Sequence, residues 1–367
     1  MTGTGRVGVG VIGAGVISTQ YLENLTTFAD IEVLFVADID LERAGAQAER
    51  FGVPGHGTVD ELLAHPGIEI VVNLTIPAAH VEVALRALAA GKNVWSEKPF
   101  ALDRESGRAL LAESARTGLR VATAPDTFLG AGLQTGKRLI AEGSVGAPLT
   151  ASAVFQASGP EAWHPNPDFL YAEGAGPLFD MGPYYLTALV QNFGAVKRVS
   201  AVASRSLDTR VIATGPRAGE EFPVAVPTQV SALLEFESGA SAEATFSFQS
   251  SIRRTSLEIS GSTGTVVFPD PNTFDGDVLV WRDRAEQAEV HPAVGPTIGR
   301  GIGIVELARA IRADLPERAT GEQAYHVLDV MVSITEAAST GDWVDVVSTV
   351  APSPALPESW DPAQATL

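Results

Sequence analysis

This sequence of 367 residues contains no cysteine. Disulfide bonds, thiolate nucleophiles and cysteine-ligated metal sites are therefore excluded. Basic residues are also scarce, because 25 Lys and Arg stand against 44 Asp and Glu, which gives a net charge of −19. Nucleic acids and anionic lipids both bind through clustered positive charge, so this balance disfavours either of them as a partner.

Long apolar runs are missing as well. No stretch approaches the roughly 20 apolar residues that cross a bilayer, and residues 1–6 lead into a strand without the features of a signal peptide. We therefore expect a cytoplasmic protein with no membrane partner. No grouping of His, Asp and Glu has the spacing of metal ligands, so we also expect no metal. The length favours two domains.

Strand-like and helix-like segments alternate in the first third of the chain. Short apolar, β-branched runs that are typical of buried strands occupy residues 6–12, 31–37, 68–74, 92–96 and 119–123. The helical segments between them have recognisable ends, since Thr58 and Asp103 are typical N-caps and Gly91 and Gly118 are typical C-terminal glycines. This alternation predicts an α/β domain with a doubly wound parallel sheet, a Rossmann domain, over residues 1–125.

Beyond Ala124-Pro125 the pattern changes to one helix followed mainly by strands. Residues 241–250 alternate between apolar and polar side chains, as expected for a strand with one buried face. Two late helices are predicted at residues 304–313 and 321–338. Residues 126–367 are therefore predicted to form an α+β domain with a largely antiparallel sheet. The proline-rich segment from Pro352 onward is expected to be loose or draped over the surface.

A glycine turn, Gly13-Ala14-Gly15, follows the first predicted strand. Glycines at these positions let the backbone turn tightly and approach a pyrophosphate at the helix N-terminus. The third position of this pattern is Ser18 instead of Gly or Ala. Asp38 ends the second strand, where a carboxylate accepts hydrogen bonds from the adenosine ribose and repels a 2′-phosphate. We predict NAD as the cofactor, while the nearby Arg43 keeps NADP open.

Further cofactor contacts are expected from residues at strand ends and helix starts. With the glycine turn and Asp38, the predicted cofactor site comprises Gly13, Gly15, Val16, Ile17, Asp38, Thr75, Pro77, His80, Glu97 and Lys98. Thr75 and Pro77 have an alternative interpretation as an ordinary strand-to-helix turn, because proline is common at the start of a helix.

Glu97-Lys98-Pro99 stands at the end of the fourth predicted strand. Ligands of open parallel sheets bind beyond the carboxyl ends of the strands, so we predict Lys98 to be catalytic. The alternative is a solvated surface lysine. Proline restricts the backbone directly after Lys98, which helps to aim its side chain.

A second candidate catalytic segment runs from Gly174 to Tyr185. Pro183 predicts a helix that begins near Asp180, because proline is tolerated in the first turn. Asp180 and Tyr184 are four residues apart and would share one face. We predict both to be catalytic, with the pKa of Tyr184 lowered by a nearby ammonium so that the phenol can accept a proton. Asp180 as a plain helix cap is the alternative.

Substrate contacts are predicted from three regions. The proline-braced loop at residues 163–171 offers Trp163 and His164, whose aromatic and polar groups suit a sugar, although a surface loop that packs its own aromatics is the alternative. Just beyond the domain junction, Asp126 and Phe128 are further candidates. Together with the catalytic group, the predicted substrate site comprises Lys98, Asp126, Phe128, Trp163, His164, Asp180 and Tyr184. Less specific candidates are Gln134 and Arg300, the latter for an acidic substrate group.

These motifs in this order resemble the Gfo/Idh/MocA family, named after glucose–fructose oxidoreductase, inositol dehydrogenase and a rhizopine-catabolism protein. The residues that carry the resemblance are Gly13-Ala14-Gly15, Ala37-Asp38, Glu97-Lys98-Pro99, and Gly174-Ala175-Gly176 leading to Asp180. Many members have His four residues after this aspartate. Tyr184 stands there instead, as in glucose–fructose oxidoreductase and dihydrodiol dehydrogenases.

The resemblance implies an NAD(P)-dependent oxidoreductase acting on a secondary alcohol of a sugar, cyclitol or related polyol. It also implies an open sheet in the C-terminal domain through which the chain forms a homodimer or homotetramer. Two alternatives remain open. One is an NADP-dependent reductase of a keto sugar or a dihydrodiol, and the other is a non-catalytic, NAD-sensing regulator.

Overall fold

The computed structural model describes residues 5–367. Residues 1–4, which contribute to the expectation that no signal peptide is present, lie outside the described part. Among the described residues, no helix combines the length and the apolar character needed to cross a membrane.

The N-terminal half of the fold is a six-stranded parallel sheet connected by helices. Its strands β1 to β6 are Val7–Ile12, Ile31–Ala37, Gly55–Gly57, Ile70–Asn73, Asn93–Ser96 and Val121–Thr123. The helices α1 to α5 are Val16–Leu25, Leu41–Phe51, Val59–Ala64, His80–Ala89 and Arg104–Thr117. The strand order is β3-β2-β1-β4-β5-β6, the order of dinucleotide-binding Rossmann folds, and it confirms the predicted fold class.

The sheet register aligns the ends of three neighbouring strands. Ile12 of β1 pairs with Asn73 of β4, and Asn73 pairs in turn with Ser96 of β5. The segments that begin at Gly13, Leu74 and Glu97 therefore leave the sheet side by side. This edge is where a doubly wound sheet binds its ligands.

The C-terminal part is built on a nine-stranded, mostly antiparallel sheet. Its strands are β7 (Pro148–Ser158), β8 (Val196–Ser204), β11 to β16 (Gln229–Phe236, Ser241–Ser247, Gln249–Gly261, Gly264–Phe268, Val278–Arg282 and Glu289–His291) and β17 (Val344–Asp345). The order is β16-β15-β14-β13-β7-β12-β11-β8-β17, with one parallel pair between β12 and β7. Strands β9 (Thr209–Val211) and β10 (Glu221–Pro223) form a separate two-stranded ribbon.

Four helices complete this part, namely α6 (Ala131–Ala141), α7 (Gly176–Phe193), α8 (Ile302–Ala313) and α9 (Gly321–Thr340). Helices α7 and α9 pack on one face of the large sheet. On β12 the side chains of Ala242, Ala244 and Phe246 are buried while those of Ser241 and Glu243 are exposed, as the alternation predicts. The opposite face of the sheet is open.

Helix α7 begins earlier than the sequence analysis expects. It starts at Gly176, so Pro177 and not Pro183 occupies the first turn. Pro183 lies inside the helix, where its missing N–H leaves the carbonyl of Phe179 without its usual partner four residues ahead. Asp180 is therefore not a helix cap, and it still lies one turn before Tyr184.

The predicted domain boundary at residues 125 and 126 falls between β6 and α6, and we keep it as a proposal. Later parts of the chain return to the parallel sheet. A bridge joins Ala122 of β6 to Thr320, and Gly303 of α8 lies against the ring of Trp95. The chain thus contacts the N-terminal sheet again after completing the large antiparallel sheet.

The C-terminal segment is draped over the surface, one of the two predicted alternatives. Ser348 N–H donates to Asp329 Oδ2 (2.9 Å), and Leu356 N–H donates to Gln134 Oε1 (2.7 Å). At its end, Thr366 N–H donates to Asp30 Oδ1 (2.7 Å) in the N-terminal part.

Candidate active site

The glycine turn after β1 opens onto free space. Gly13 has φ = +100°, and a Cβ there would lie 2.6 Å from the carbonyl oxygen of Leu74, so only glycine fits. Gly15 precedes α1 without a side-chain cap, and a Cβ on it would meet nothing within 4 Å. Val16 is 87% exposed. The unpaired N–H groups of the first turn are therefore accessible to an anion such as a pyrophosphate.

A cavity of about 650 Å³ lies between α1 and α2, beside this turn. Its lining includes Gly15, Val16, Thr19, Arg43 and Gln47. The cavity adjoins the helix N-terminus, where the phosphate groups of a dinucleotide bind in this fold.

The carboxylate of Asp38 is tied to the glycine turn. Its Oδ2 accepts the N–H of Ala14 (2.6 Å), and its Oδ1 accepts the N–H of Asp40 (2.9 Å) and Arg43 Nη2 (2.7 Å). Burial alone would raise the pKa of Asp38, but the hydrogen bonds from Arg43, Asp40 and Ala14 hold that pKa below its usual value. A charged carboxylate therefore stands at the end of β2, partly neutralised by one arginine.

Lys98 and Asp180 form an ion pair between the edge of the parallel sheet and α7. Lys98 Nζ donates to Asp180 Oδ1 (2.8 Å) and to the Asp180 carbonyl oxygen (2.9 Å). The lysine side chain is 16% exposed, so Lys98 is not a solvated surface residue. Burial alone would lower the pKa of Lys98, but the negative charges of Asp180 and Glu97 raise that pKa above its usual value. The ion pair with Asp180 therefore favours the ammonium form of Lys98.

Tyr184 lies beside this pair and contacts a second cation. Lys98 Nζ is 5.3 Å from the centroid of its ring, and Arg300 Nη2 donates to its hydroxyl oxygen (2.9 Å). Burial raises the pKa of Tyr184, and although Lys98 and Arg300 lower it, that pKa stays above its usual value. The predicted lowering of the pKa of Tyr184 is therefore wrong. Desolvation outweighs the two cations, and the phenol carries its proton at neutral pH.

Glu97 supports Lys98 instead of presenting a free carboxylate. Its Oε1 accepts the hydroxyl of Tyr21 on α1 (2.7 Å), and its Oε2 accepts the N–H of Lys98 (3.0 Å). Both oxygens have protein partners and the residue is buried. The predicted cofactor contact of Glu97 stays a prediction.

His80 links two segments of the ligand-binding edge. Its Nδ1 lies 2.8 Å from the carbonyl oxygen of Pro99 and its Nε2 lies 3.0 Å from that of Thr75. The side chain is buried, and this burial lowers the pKa of His80 although both carbonyl contacts raise it. A neutral imidazole has one N–H, so it can donate to only one of these two carbonyl oxygens. The predicted cofactor contact of His80 stays a prediction.

Thr75, Pro77 and Ile17 are partly exposed along the same edge. Thr75 Oγ1 donates to Asn73 Oδ1 (2.7 Å), and Pro77 begins a short 3₁₀ turn before α4. They form the strand-to-helix turn of the alternative interpretation, and their contact with a cofactor stays a prediction.

Asp126 and Phe128 are buried below the site and do not reach its surface. Asp126 is 0% exposed, and its Oδ2 accepts the N–H groups of Gly301 (2.7 Å) and Gly303 (3.3 Å) at the start of α8. Burial raises the pKa of Asp126 to about 6, although Arg300 and the two N–H groups lower it. The predicted substrate contact of Asp126 and Phe128 stays a prediction.

Trp163 and His164 lie on an outer loop. The His164 ring packs edge-on against Trp163 (5.6 Å between centroids) and Phe169 (5.5 Å). The salt bridge from Arg217 to Asp168 (2.8 Å) anchors this loop to the β9–β10 ribbon. The loop leads directly into α7, and a substrate contact of Trp163 and His164 stays a prediction.

The sequence analysis missed Asn272 and assigned Arg300 a different role. Asn272 Oδ1 accepts a hydrogen bond from Arg300 Nη2 (2.9 Å). Asn272 lies in the loop between β14 and β15, Arg300 lies in the segment before α8, and no motif marks either residue. In residues 5–367, no group of three or more metal-binding side chains comes together.

Similarity to known proteins accords with this geometry. Residues 7–124 match a family described as an oxidoreductase family with an NAD-binding Rossmann fold, and residues 133–267 match the GFO/IDH/MocA C-terminal domain. A trans-1,2-dihydrobenzene-1,2-diol dehydrogenase from Bos taurus is 26% identical over 310 residues, which cover 83% of this chain and 86% of the relative.

A 1,5-anhydro-D-fructose reductase from Ensifer adhaerens is 24% identical over 344 residues, which cover 92% of this chain and 98% of the relative. Among solved structures, a levoglucosan dehydrogenase in complex with NADH and L-sorbose has a TM-score of 0.80 at 22% identity. The alignment covers 94% of this chain and 100% of that one, which shows a shared fold. With both of its domains matched, this chain belongs to the Gfo/Idh/MocA family of NAD-binding oxidoreductases.

Proposed function

We propose that this oxidoreductase transfers a hydride between NAD and a secondary alcohol of a sugar, cyclitol or related polyol. One observation carries the proposal. Lys98, from the edge of the parallel sheet, meets Asp180 and Tyr184 of α7 in one polar cluster. An ammonium, a carboxylate and a phenol at this edge are the groups that orient a hydroxyl and exchange its proton.

NAD would bind across the glycine turn. Gly13, Gly15 and Val16 would hold the pyrophosphate, Asp38 the adenosine ribose, and Ile17, Thr75 and Pro77 would line the path toward Lys98. The open space at Gly15 and the ionised state of Asp38 support this arrangement. When bound, the nicotinamide would accept or supply the hydride.

The three catalytic candidates have different tasks. Lys98 donates a hydrogen bond to the substrate oxygen and opposes negative charge that develops there. Asp180 orients the ammonium and keeps it charged. Tyr184 exchanges the proton. Burial holds the pKa of Tyr184 above its usual value, so the phenol can donate its proton to a carbonyl oxygen in the reductive direction.

A second candidate function is the NADP-dependent reduction of a keto sugar or turnover of a dihydrodiol. Arg43 beside Asp38 supports it, because an arginine there can accompany a 2′-phosphate. The activities named for the dihydrobenzenediol dehydrogenase and the anhydrofructose reductase point to the same substrate classes. Fluorescence titrations with NADH and NADPH distinguish the two cofactors, and we expect NADH to bind more tightly.

The decisive experiment is a screen of polyols and ketoses for NAD reduction or NADH oxidation, repeated with a Lys98→Met variant. We expect kcat to fall by about 10²–10⁴-fold while NADH affinity changes little, because Lys98 acts on the reacting oxygen. Lys197→Met is the matched control, since Lys197 is exposed and pairs with Glu235 on the large sheet. Unchanged turnover in Lys98→Met contradicts the proposal. If no compound in the panel supports NAD reduction or NADH oxidation, the result favours the NAD-sensing regulator instead.

We also propose that the chain forms a homodimer or homotetramer through the open face of its large sheet. On that face, Val202 of β8 pairs across the strands with Ser231, and the neighbouring Leu233 pairs with Ser200. Both apolar side chains are exposed in a single chain. Light scattering tests this proposal by comparing the oligomeric state of the Leu233→Glu variant with that of the wild type.

A cytoplasmic location stays a prediction.

A further inference from the structure

Arg300 belongs to the segment that precedes α8, and its guanidinium contacts the proposed proton-transfer residue. Both hydrogens of Nη2 are used, since this nitrogen donates to the hydroxyl oxygen of Tyr184 and to Asn272 Oδ1, each at 2.9 Å. The guanidinium carbon lies 5.5 Å from the centroid of the tyrosine ring. A fixed cation therefore contacts the oxygen atom that is proposed to exchange the proton.

Other contacts hold Arg300 in this position. Its carbonyl oxygen accepts Asn24 Nδ2 (2.7 Å), and its Nη1 faces Asp126 Oδ1 at 3.9 Å. Asp126 is itself held by the N–H groups of Gly301 and Gly303. The arginine is anchored at its backbone and at the nitrogen that contacts the phenol, while Nη1 faces the Asp126 carboxylate without a hydrogen bond.

This arrangement argues against the expectation that Arg300 binds an acidic substrate group. Its side chain is 12% exposed, and Nη1 is buried away from solvent against Asp126. Nη2 has no hydrogen left for a ligand. An anionic substrate would have to displace Tyr184 or Asn272 to reach Nη2.

The direction of the hydrogen bond explains what Arg300 can do. Arg300 donates to the oxygen of Tyr184, so the phenolic hydrogen remains free for a substrate oxygen. In the reductive direction the O–H bond of Tyr184 breaks and an O–H bond forms on the substrate oxygen, while the carbonyl carbon receives the hydride from the reduced cofactor. The phenolate that remains keeps its bond to Arg300, and a charge-assisted hydrogen bond is stronger than a neutral one.

We propose that Arg300 is a positioning residue of this reaction, which holds the Tyr184 phenol in place and stabilises its ionised form during proton transfer. Asn272 orients the guanidinium and Asp126 is its counter-ion. The inference rests on the proposed function, because it requires Tyr184 to exchange the proton.

The charged and titratable groups that face Tyr184 come from four segments. They are Lys98 and Glu97 after β5, Asp180 on α7 and Arg300 before α8, with Tyr21 of α1 behind Glu97. Lys98 and Arg300 favour the phenolate, whereas Glu97 and Asp180 oppose it. Removing Arg300 leaves Lys98 as the only cation of this group, so the tyrosine should ionise at higher pH.

The test compares Arg300→Met with Arg300→Lys, using the substrate found in the panel. We expect Arg300→Met to lower kcat by about 10–10³-fold with KM changed less than about threefold, since a stabilising donor at the reacting group is lost. The limb of the kcat–pH profile that reports tyrosine ionisation should move to higher pH. Arg300→Lys should restore part of kcat and part of the shift. Asn272→Ala, which keeps the cation, should give a smaller loss.

Controls separate this role from a structural one. NADH affinity and melting temperature are measured for every variant, and Arg254→Met serves as the control for loss of an arginine, because Arg254 is exposed on β13. A higher KM with unchanged kcat would identify Arg300 as a substrate-binding residue and overturn the inference. A lower kcat with an unmoved pH limb would also overturn it. If Lys98→Met retains activity, the proposed function itself fails; if only the Arg300 variants are unaffected, only this inference fails.

Discussion

At the scale of single residues, the state of Lys98 depends on one carboxylate. Burial acts to lower the pKa of the lysine, and Asp180 is the largest of the influences that raise it. The ammonium is therefore charged across the physiological range because Asp180 is present, and the two residues form one functional unit that spans both parts of the chain.

The variant Asp180→Asn tests this dependence. The folded-state pKa of Lys98 is raised, so loss of the negative charge lets burial lower it, and the lysine should deprotonate at lower pH than in the wild type. We expect a new fall of kcat on the alkaline side of the profile, together with a drop of about 10–10³-fold at neutral pH. Steady-state kinetics over a range of pH measure both effects. A parallel fall at every pH would show that Asp180 does not control the charge of Lys98.

Sequence motifs predicted three catalytic candidates whose side chains lie together in the structure, but they did not predict the contacts of the neighbouring residues. Recognisable motifs contain Lys98, Asp180 and Tyr184. Within one of these motifs, however, the adjacent side chains of Glu97 and Lys98 point to opposite sides of an extended segment. A motif cannot reveal which side faces the ligand. Glu97 turns toward Tyr21, and Lys98 turns toward α7. Asn272 and Arg300 come from distant loops whose approach is decided by tertiary packing.

At the scale of elements, the turn between β1 and α1 separates two roles of glycine. Gly13 is needed by the backbone, because its φ is +100° and Leu74 leaves no room for a side chain. Gly15 has an ordinary φ of −73°, and the space beside it is open. One glycine therefore serves the fold, and the other leaves room for the cofactor.

The pair Gly13→Ala and Gly15→Val distinguishes these roles. Gly13→Ala should reduce the free energy of unfolding by about 2 kcal/mol or more, through strain and overlap with the Leu74 carbonyl. Gly15→Val should change the melting temperature little and weaken NADH binding by more than about tenfold, because its side chain enters the pyrophosphate space. Thermal melts and NADH titrations of both variants check this. Equal NADH affinity of Gly15→Val and wild type would place the cofactor elsewhere.

The sequence predicts the first and last residues of a helix or strand where the residue propensities and the capping signals agree. Strand β2 has the predicted ends, and α3 begins at Val59 after its predicted N-cap Thr58, which forms a capping box with Glu61. Strands β3, β9, β10 and β16 were missed, because each has only three residues and little apolar content. The start of α7 was misplaced because two prolines, Pro177 and Pro183, compete as first-turn signals.

At the scale of the whole molecule, the C-terminal segments fasten the two sheets to each other. Arg312 of α8 makes two hydrogen bonds to Glu69 (2.7 and 2.6 Å). Arg309 Nε donates to Asp30 Oδ2 (2.7 Å), and the chain ends on the same carboxylate through Thr366 and Leu367. Asp30, buried between α1 and β2, thus binds both α8 and the end of the chain. The return of the chain end to the N-terminal part was not predicted, because the last residues have only a loop-like composition.

The interaction of Asp30 with α8 and the chain end depends on pH. Burial alone would raise its pKa, but the hydrogen bonds from Thr366, Arg309 and Leu367 hold that pKa below its usual value. The stabilisation is therefore present above the unfolded-state pKa of about 4 and is lost as the pH falls through the lower folded-state value. We expect Asp30→Asn to lower the free energy of unfolding by about 2 kcal/mol at pH 7, since a charged acceptor is lost. The difference from wild type should shrink below about pH 4, where the wild-type carboxylate is protonated too.

Urea unfolding at several pH values measures this difference. Asp314→Asn is the matched control, because Asp314 is 92% exposed and lies 4.0 Å from Arg120. Its effect should stay below about 0.5 kcal/mol at every pH, as for most exposed pairs. A destabilisation by Asp30→Asn that is equally large at pH 3 and pH 7 would mean that the charge of Asp30 is not what binds the chain end. In that case packing of the tail, and not its hydrogen bonds to one carboxylate, would hold the two sheets together.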